Sequence, residues 1–180
     1  GLAIAADVAD EAQTRALIDE TDHRCGPIGL FCANAGVTAR GGVELPDADW
    51  QRLWQINVMA HVHAARMLVP RMLARGGGHL LFTASAAGLL SQFDAPYAVT
   101  KHAAVAHAEW LSITSGNQGL GVSCLCPLGV DTPMLQAEGD VRRALMSDGL
   151  LSADAVAQVV MQGLAAGDFL ILPHPQVREF

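Results

Sequence analysis

Short apolar runs alternate with longer segments of helical periodicity along this chain, and that alternation constrains the fold more than any other feature. The apolar runs cover residues 2–6, 28–33, 79–83, 122–126 and 169–172. Apolar residues at helical spacing mark residues 9–24, 47–70, 96–115 and 153–166. Strands and helices that alternate in this way form a parallel sheet with helices on both faces. We therefore predict an α/β fold with a doubly wound parallel sheet.

The composition limits the domain organisation and the partners. The 180 residues are 51% hydrophobic, which is enough for one sizeable core. No internal repeat, low-complexity tract or charge block separates a second unit, so we predict a single domain over residues 1–180. The formal net charge is -7 and only 16% of the residues are charged, which argues against a nucleic-acid partner.

The sequence shows no membrane or export signal. Polar residues interrupt every apolar run before it reaches the roughly 20 residues that span a bilayer. The first residues lack a basic segment followed by an apolar stretch. We therefore expect a cytoplasmic protein without membrane contact.

The cysteines and histidines lack the spacing of a metal site. Cys25, Cys32, Cys124 and Cys126 do not form CxxC pairs, so buried reduced thiols are the favoured interpretation. The helical histidines also lack an HExxH spacing and are expected to lie at the surface or to pack; they are His61, His63, His102 and His107. We predict that no metal is bound.

Several local patterns bear on the helices and loops. Asp47 is a plausible N-cap, and Pro70 falls in the last turns of the helix that follows. Three tryptophans occupy helical patterns, where core or subunit packing is the expected role; they are Trp50, Trp54 and Trp110. Residues 128–150 form the one long irregular stretch and are a candidate lid or substrate loop.

The single tyrosine and the single lysine lie four residues apart, as Tyr97 and Lys101. On a helix this spacing places both side chains on one face. A phenol with a pKa near about 10 is a poor acid or base at neutral pH, and a nearby ammonium favours its ionised form. The pair is therefore suited to proton transfer at an alcohol or carbonyl oxygen.

Each candidate residue also has a purely structural interpretation. Tyr97 taken alone could be a half-buried packing residue, and Ser85 could be a capping hydroxyl at a strand end. Asn34 could be a loop residue with unusual dihedral angles, and Asn57 could be a polar residue within a helix. Residue patterns alone leave these alternatives open.

Five motifs in order resemble those of the short-chain dehydrogenase/reductases. Tyr97-Ala98-Val99-Thr100-Lys101 fits the family's YxxxK motif, and Ser85 resembles its strand-end serine. Asn34-Ala35-Gly36 is similar to the end of the NNAG motif, and Asn57 to the helix asparagine. Residues 127–132 resemble the stretch after the sixth strand. The opening pair Asp7-Val8 is also similar to the family's adenine-binding pair, so the resemblance covers residues 1 to about 172.

The resemblance implies a fold and an activity. The fold would be a Rossmann-like sheet, and the activity would be hydride transfer between NAD or NADP and a carbonyl or secondary alcohol. Tyr97 would exchange the substrate proton, Ser85 would hold the substrate oxygen, and Lys101 would lower the pKa of Tyr97 and bind the cofactor ribose. Asn57 would anchor a proton relay. The residues that would bind the cofactor are Asp7, Val8, Asn34, Ala35, Gly36, Tyr97, Lys101, Pro127, Val130 and Thr132.

The chain departs from the family pattern in three ways. The TGxxxGxG loop, which holds the diphosphate, is absent. Because Gly1 opens in mid-pattern without Met, we expect an N-terminal truncation that removes the first strands. Ala33 and Leu128 replace an Asn and a Gly of the family motifs. The separation of 12 between Ser85 and Tyr97 is one residue short, which indicates a trimmed loop at residues 92–94.

Two other functions remain open from the sequence. The departures at Ala33 and Leu128 fit a non-catalytic binding or scaffold protein, and the missing diphosphate loop fits a fragment that is inert alone. For the enzyme, the resemblance implies a small carbonyl or alcohol substrate and a homodimer or homotetramer formed by the two long helices. It does not choose between NAD and NADP, because the residues that read the ribose 2′ position would follow the missing second strand.

Overall fold

The computed structural model describes residues 1–91, 94–137 and 149–179. Its helices are α1 (Glu11–Cys25), α2 (Asp47–Trp54), α3 (Ala60–Ala74), α4 (Ala95–Ser115), α5 (Pro133–Ala137) and α6 (Ala153–Ala166). Its strands are β1 (Leu30–Ala33), β2 (Gly78–Thr83), β3 (Leu120–Leu125), β4 (Val130–Asp131), β5 (Leu151–Ser152) and β6 (Leu170–Ile171). A π-helical turn, Gln55–Met59, joins α2 to α3, and 3₁₀ turns cover Ala86–Gly88, Gly116–Gln118 and Pro175–Glu179.

The central sheet is parallel, with the strand order β1-β2-β3-β6. Leu30 lies opposite His79, and Leu80 lies opposite Val122. The two-residue strands β4 and β5 form a separate parallel pair beyond the end of β3. The predicted α/β class with a parallel sheet is confirmed.

The side chains of β2 point alternately into two hydrophobic clusters, one on each face of the sheet, which shows how the helices cover the sheet. Leu80 and Phe82 join a cluster that contains side chains of α1, α3 and α4. Leu81 packs on the opposite face, where its partners include Val156 of α6 and Ile171 of β6. Because successive strand residues point to opposite faces, this division gives three helices on one face and α6 on the other.

The helix ends agree with the sequence in part. The Asp10 carboxylate caps α1 by accepting from the backbone of Ala12 at 2.7 Å, and Ser152 caps α6 in the same way. The prediction that Asp47 is an N-cap is wrong: Pro46 occupies that position, and Asp47 is the first helical residue. Its negative charge still lies in the first turn, where the helix dipole favours an anion.

Two predictions at the sheet edge are also wrong. Residues 1–7 form no strand and pair with none of the described strands, and β1 is an edge of the described sheet. Cys25 and Cys32 are exposed because one ends α1 and the other lies on this edge, whereas Cys124 and Cys126 are fully buried. Leu30, at 45% exposure, shows how open the edge is.

The remaining sequence predictions are met unevenly. His61 packs against the Phe82 ring with centroids 5.2 Å apart, whereas Trp54 and Trp110 lie on the surface.

The expected irregular stretch at 128–150 contains β4 and α5, while residues 138–148 lie outside the described residues. The trimmed loop at 92–94 also falls mostly outside them. No helix among the described residues is long and apolar enough to cross a membrane.

Two residues of α4 provide a matched test of this packing. Leu111 is 4% exposed and belongs to the main core, whereas Ile113, two residues later, is 72% exposed. We expect Leu111→Ala to lower the free energy of unfolding by about 2–5 kcal/mol, because it leaves a cavity in the core. Ile113→Ala should change it by less than about 0.5 kcal/mol in the monomeric chain, where this side chain faces solvent. Urea unfolding measures both, and equal losses would contradict the assigned orientation of α4.

Candidate active site

The predicted site residues gather where the strands of the sheet end. Loops that follow β1, β2 and β3 meet α4 around a cavity of about 780 Å³. Ligands of open parallel sheets bind at the carboxyl ends of the strands, so this is the expected place for a site. Nine predicted residues line the cavity: Asn34, Ala35, Gly36, Ser85, Tyr97, Lys101, Pro127, Val130 and Thr132.

Helix α4 presents Tyr97 and Lys101 together. The Lys101 Nζ atom lies 5.7 Å from the centroid of the Tyr97 ring, within the range of a cation–π contact. The same Nζ atom donates a hydrogen bond of 3.0 Å to the Thr83 carbonyl at the end of β2. Lys101 is 3% exposed, so its charge is held in a fixed position beside the phenol.

Burial determines the titration of Lys101. Loss of hydration lowers the pKa of Lys101 to about 8, against an opposite effect of the Cys124 and Cys126 thiols. The side chain is therefore still mostly an ammonium at pH 7. A positive charge at this position favours the ionised form of the neighbouring phenol.

A glycine allows the close packing around Lys101. A Cβ atom on Gly88, in the turn after β2, would lie 2.6 Å from the Lys101 carbonyl oxygen. No side chain fits there without moving the backbone of α4. The glycine therefore lets α4 approach the end of β2, which carries Ser85.

Ser85 begins this turn in an extended conformation. Its Oγ accepts from the Ala87 backbone at 3.2 Å and lies 3.5 Å from the Pro127 carbonyl, which is long for a hydroxyl hydrogen bond. The hydroxyl proton can therefore be given to a ligand. Beneath this turn, the sulfur atoms of the buried residues Cys124 and Cys126 lie 3.8 Å apart.

Asn57 lies outside the cavity, in the π-helical turn, and is fully buried. Its Oδ1 accepts from the Val37 backbone and its Nδ2 donates to the Val37 carbonyl, both at 2.9 Å. Nδ2 also donates to the Thr100 hydroxyl at 3.1 Å. Asn57 therefore fixes the loop after β1 to α4, and its predicted role in a proton relay stays a prediction.

The predicted adenine-binding pair is separate from the large cavity. Val8 lines a smaller cavity of about 220 Å³, together with Asn34 and Ala35. Asp7 lines neither of these two cavities: it is exposed, and its Oδ1 accepts from the Ala9 backbone at 3.0 Å. The structure thus brings Val8 near the Asn34 loop and leaves Asp7 at the surface.

Sequence reasoning missed part of the cavity wall. Asp94 is a buried carboxylate one turn before Tyr97, and its Oδ1 accepts from the Gly41 backbone at 3.0 Å. Its position three residues before Tyr97, about one helical turn, could have identified it from the sequence. Half of the apolar wall lies in the segment that the sequence marked as a candidate substrate loop, namely Leu128, Met134 and Leu135. The other half comes from α6, which carried no such signal: Val156, Val160 and Met161.

A serine–histidine pair at the other end of the sheet does not form a second reactive site. His79 Nε2 lies 2.9 Å from Ser123 Oγ. However, Ser123 donates its proton to the Asp168 carbonyl at 2.6 Å, so it must accept from His79. An activated serine would donate to the histidine instead. Ser123 is also fully buried, and the pair therefore joins strands.

Comparisons with known proteins identify relatives of this chain. A family model described as short chain dehydrogenase matches residues 2–142. The chain is 36% identical over 181 residues to 1-deoxy-11-beta-hydroxypentalenate dehydrogenase of Streptomyces exfoliatus, with 98% of this chain and 66% of that protein covered. It is 35% identical over 154 residues to (+)-borneol dehydrogenase 1 of Salvia officinalis, with 81% and 57% covered.

A solved structure extends the likeness to three dimensions. The short chain dehydrogenase/reductase from Burkholderia phymatum, solved in complex with NAD, has a TM-score of 0.89 and 32% identity to the chain. The alignment covers 99% of this chain and 72% of that one. The chain spans about two thirds of the length of the first curated relatives it matches. The match to the family model, over most of its residues, shows that the chain belongs to the short-chain dehydrogenase family.

Proposed function

We propose that this chain forms the proton-transfer and nicotinamide-binding part of an NAD(P)-dependent dehydrogenase that interconverts a secondary alcohol and a carbonyl compound. The observation that carries the proposal is the buried Lys101 ammonium, 5.7 Å from the Tyr97 ring, in a cavity that Ser85 also lines. A phenol, a cation and a hydroxyl that can donate its proton are the groups that proton exchange with an alcohol oxygen requires.

The three side chains divide the proton chemistry. In alcohol oxidation, the substrate hydroxyl proton passes to the Tyr97 oxygen, while Ser85 donates a hydrogen bond to the substrate oxygen. Lys101 stabilises the phenolate that accepts the proton. In carbonyl reduction the Tyr97 proton returns to the substrate oxygen, and Ser85 keeps the carbonyl in place. Both directions require Lys101 to be charged.

The residues around the cavity fit the nicotinamide half of a dinucleotide. A Cβ atom on Gly36 would lie 3.3 Å from Lys101 Nζ, so the bare glycine leaves the approach to the lysine open. Residues 34–36 and Thr132 would hold the nicotinamide and its ribose beside Lys101. When bound, the cofactor supplies the acceptor or donor of the substrate hydride. The sequence contains no glycine-rich turn from a strand into a helix, so we assign no residue to the diphosphate.

The cavity wall and the relatives indicate the substrate class. The wall beyond Tyr97 is largely apolar and includes Leu128, Met134 and Met161. The names of the relatives refer to oxidation of hydroxypentalenate and of borneol. We therefore propose a ring-bearing secondary alcohol as substrate, in a cytoplasmic enzyme. The exposed faces of α2 and α4, with Trp54 and Trp110, would join copies into a homodimer or homotetramer.

The two departures that fit a scaffold protein are accommodated structurally. Ala33 is 9% exposed and packs in the main core, where a small apolar side chain suits β1. The Leu128 backbone N–H donates to His174, so the chain is held in place at this position although Leu128 replaces the glycine of the family motif. Neither substitution disturbs the arrangement of Tyr97, Lys101 and Ser85. This supports the catalytic function over the scaffold alternative.

Replacement of Tyr97 with Phe tests the proposed function. The change removes only the phenolic oxygen, so we expect turnover of a secondary alcohol to fall by at least about 100-fold. Folding should be retained, and dinucleotide binding should weaken far less than turnover. Activity is followed by the nicotinamide absorbance, with calorimetric binding of NADH or NADPH as the control. Substantial turnover by Tyr97→Phe would show that another group exchanges the proton.

The buried charge of Lys101 also predicts a pH-dependent stability. The pKa of Lys101 is about 8 in the folded chain against 10.5 for an ordinary lysine, so the unfolded chain binds more protons between these values. Stability should therefore rise with pH through this window, and the ammonium costs the folded chain about 3 kcal/mol at pH 7.

Lys101→Met removes this cost but leaves the Thr83 carbonyl without its partner. We expect the variant to be more stable than the natural chain by about 1–3 kcal/mol at pH 7, and by much less at pH 10. Urea unfolding at the two pH values measures the difference. A variant that is less stable than the natural chain at both pH values would contradict the assignment of Lys101 as a buried ammonium.

A further inference from the structure

We infer that His174 is a positioning residue. It fixes the backbone path of residues 127–132 and, through them, the shape of the nicotinamide end of the proposed cofactor site. The inference rests on the proposed function for its consequence, but its geometry is independent of it. His174 does not line the large cavity. It lies behind the wall, in the segment between β6 and the final 3₁₀ turn.

Residues 127–132 need support from outside the sheet. β3 ends at Leu125, and the short strand β4 begins at Val130, so the intervening residues belong to no regular element. Val130 and Thr132 line the cavity together with Lys101 and Tyr97. The backbone position of this segment therefore decides where the two side chains meet a ligand.

His174 supplies that support with both ring nitrogens. The Leu128 backbone N–H donates to Nδ1 at 3.1 Å, and Nε2 donates to the Gly129 carbonyl at 2.9 Å. Because a backbone N–H can only donate, Nδ1 carries no proton and the proton is on Nε2. The neutral ring thus clamps two consecutive peptide groups, and it is 1% exposed.

The other supports of the segment do not replace this clamp. The Pro127 carbonyl accepts from the Ala86 backbone at 2.8 Å, and the Gly129 carbonyl also accepts from the Leu151 backbone at 3.1 Å. Within the described residues, the Leu128 N–H has His174 as its one hydrogen-bond partner. Loss of the imidazole leaves this donor without its protein partner, and the segment must shift or admit water to satisfy it.

The clamp itself is held rigidly. The Cys126 backbone N–H donates to the Ile171 carbonyl at 3.0 Å, which fixes the end of β6 beside the end of β3. Three residues later the His174 carbonyl accepts from the Val177 backbone at 3.1 Å, and Val177 is itself buried. The histidine therefore connects a fixed C-terminal segment to the Leu128 peptide group, for which the described residues offer no other hydrogen-bond partner.

Three variants separate positioning from general stability. His174→Ala removes the clamp, whereas His174→Gln keeps one acceptor and one donor on a planar group. His63→Ala is the matched control, because His63 is a buried histidine of α3 that lines neither cavity. Binding of NADH and of ADP-ribose, which lacks the nicotinamide, is measured by calorimetry for each protein.

We expect His174→Ala to weaken NADH binding about tenfold and ADP-ribose binding by less than about twofold. His174→Gln should recover most of the lost affinity, and His63→Ala should change neither. Equal weakening of both ligands by His174→Ala, or NADH binding as tight as in the natural protein, would overturn the inference.

Hydrogen exchange of the Leu128 amide tests the clamp without any ligand. The natural protein should protect this amide although it lies outside helices and strands, His174→Ala should lose the protection, and His174→Gln should regain it. An amide that exchanges in the natural protein as fast as an open loop overturns the clamp. A protected amide in a protein that binds no NADH would instead refute the proposed function and leave the clamp standing.

Discussion

Burial of the Lys101 ammonium is the constraint on which the site depends. An ammonium removed from water needs a compensating partner, and the Thr83 carbonyl at 3.0 Å supplies it. The compensation is incomplete, because the pKa of Lys101 still falls to about 8. The chain therefore carries a charge that destabilises its fold at neutral pH. Such a cost is common where the charge serves a site.

The surrounding structure keeps this charge in one place. Gly88 lets α4 approach the end of β2, and Gly36 keeps side-chain atoms away from the lysine head group. Asn57 ties the loop after β1 to Thr100 of α4. The parallel sheet brings these separate segments to one edge, since all its strands end on the same side. The rigid parts of the fold thus converge on the contact between Lys101 and Tyr97.

Local sequence patterns were sufficient for the central sheet and the helices, and together with the family resemblance they identified nine residues of the cavity but not its whole apolar wall. The spacing of Tyr97 and Lys101 is a local property of one helix, and Ser85 and Asn34 follow directly after apolar runs. Residues 2–6 resemble a strand, but a strand also needs a neighbour, which local pattern cannot supply. The same reason explains Cys32, whose exposure depends on its place at the sheet edge. His174 contacts Leu128 across 46 residues, so no local pattern could reveal the clamp.

If Lys101 and Tyr97 serve a dehydrogenase, the nicotinamide of a dinucleotide binds beside them. Calorimetric titration of NADH and NADPH into this chain, and into the protein as its gene encodes it, measures this binding. We expect the encoded protein to bind at least one of the two dinucleotides, and Lys101→Met to weaken the binding about tenfold or more. Failure to bind either dinucleotide, or binding that Lys101→Met leaves unchanged, would contradict the proposed function.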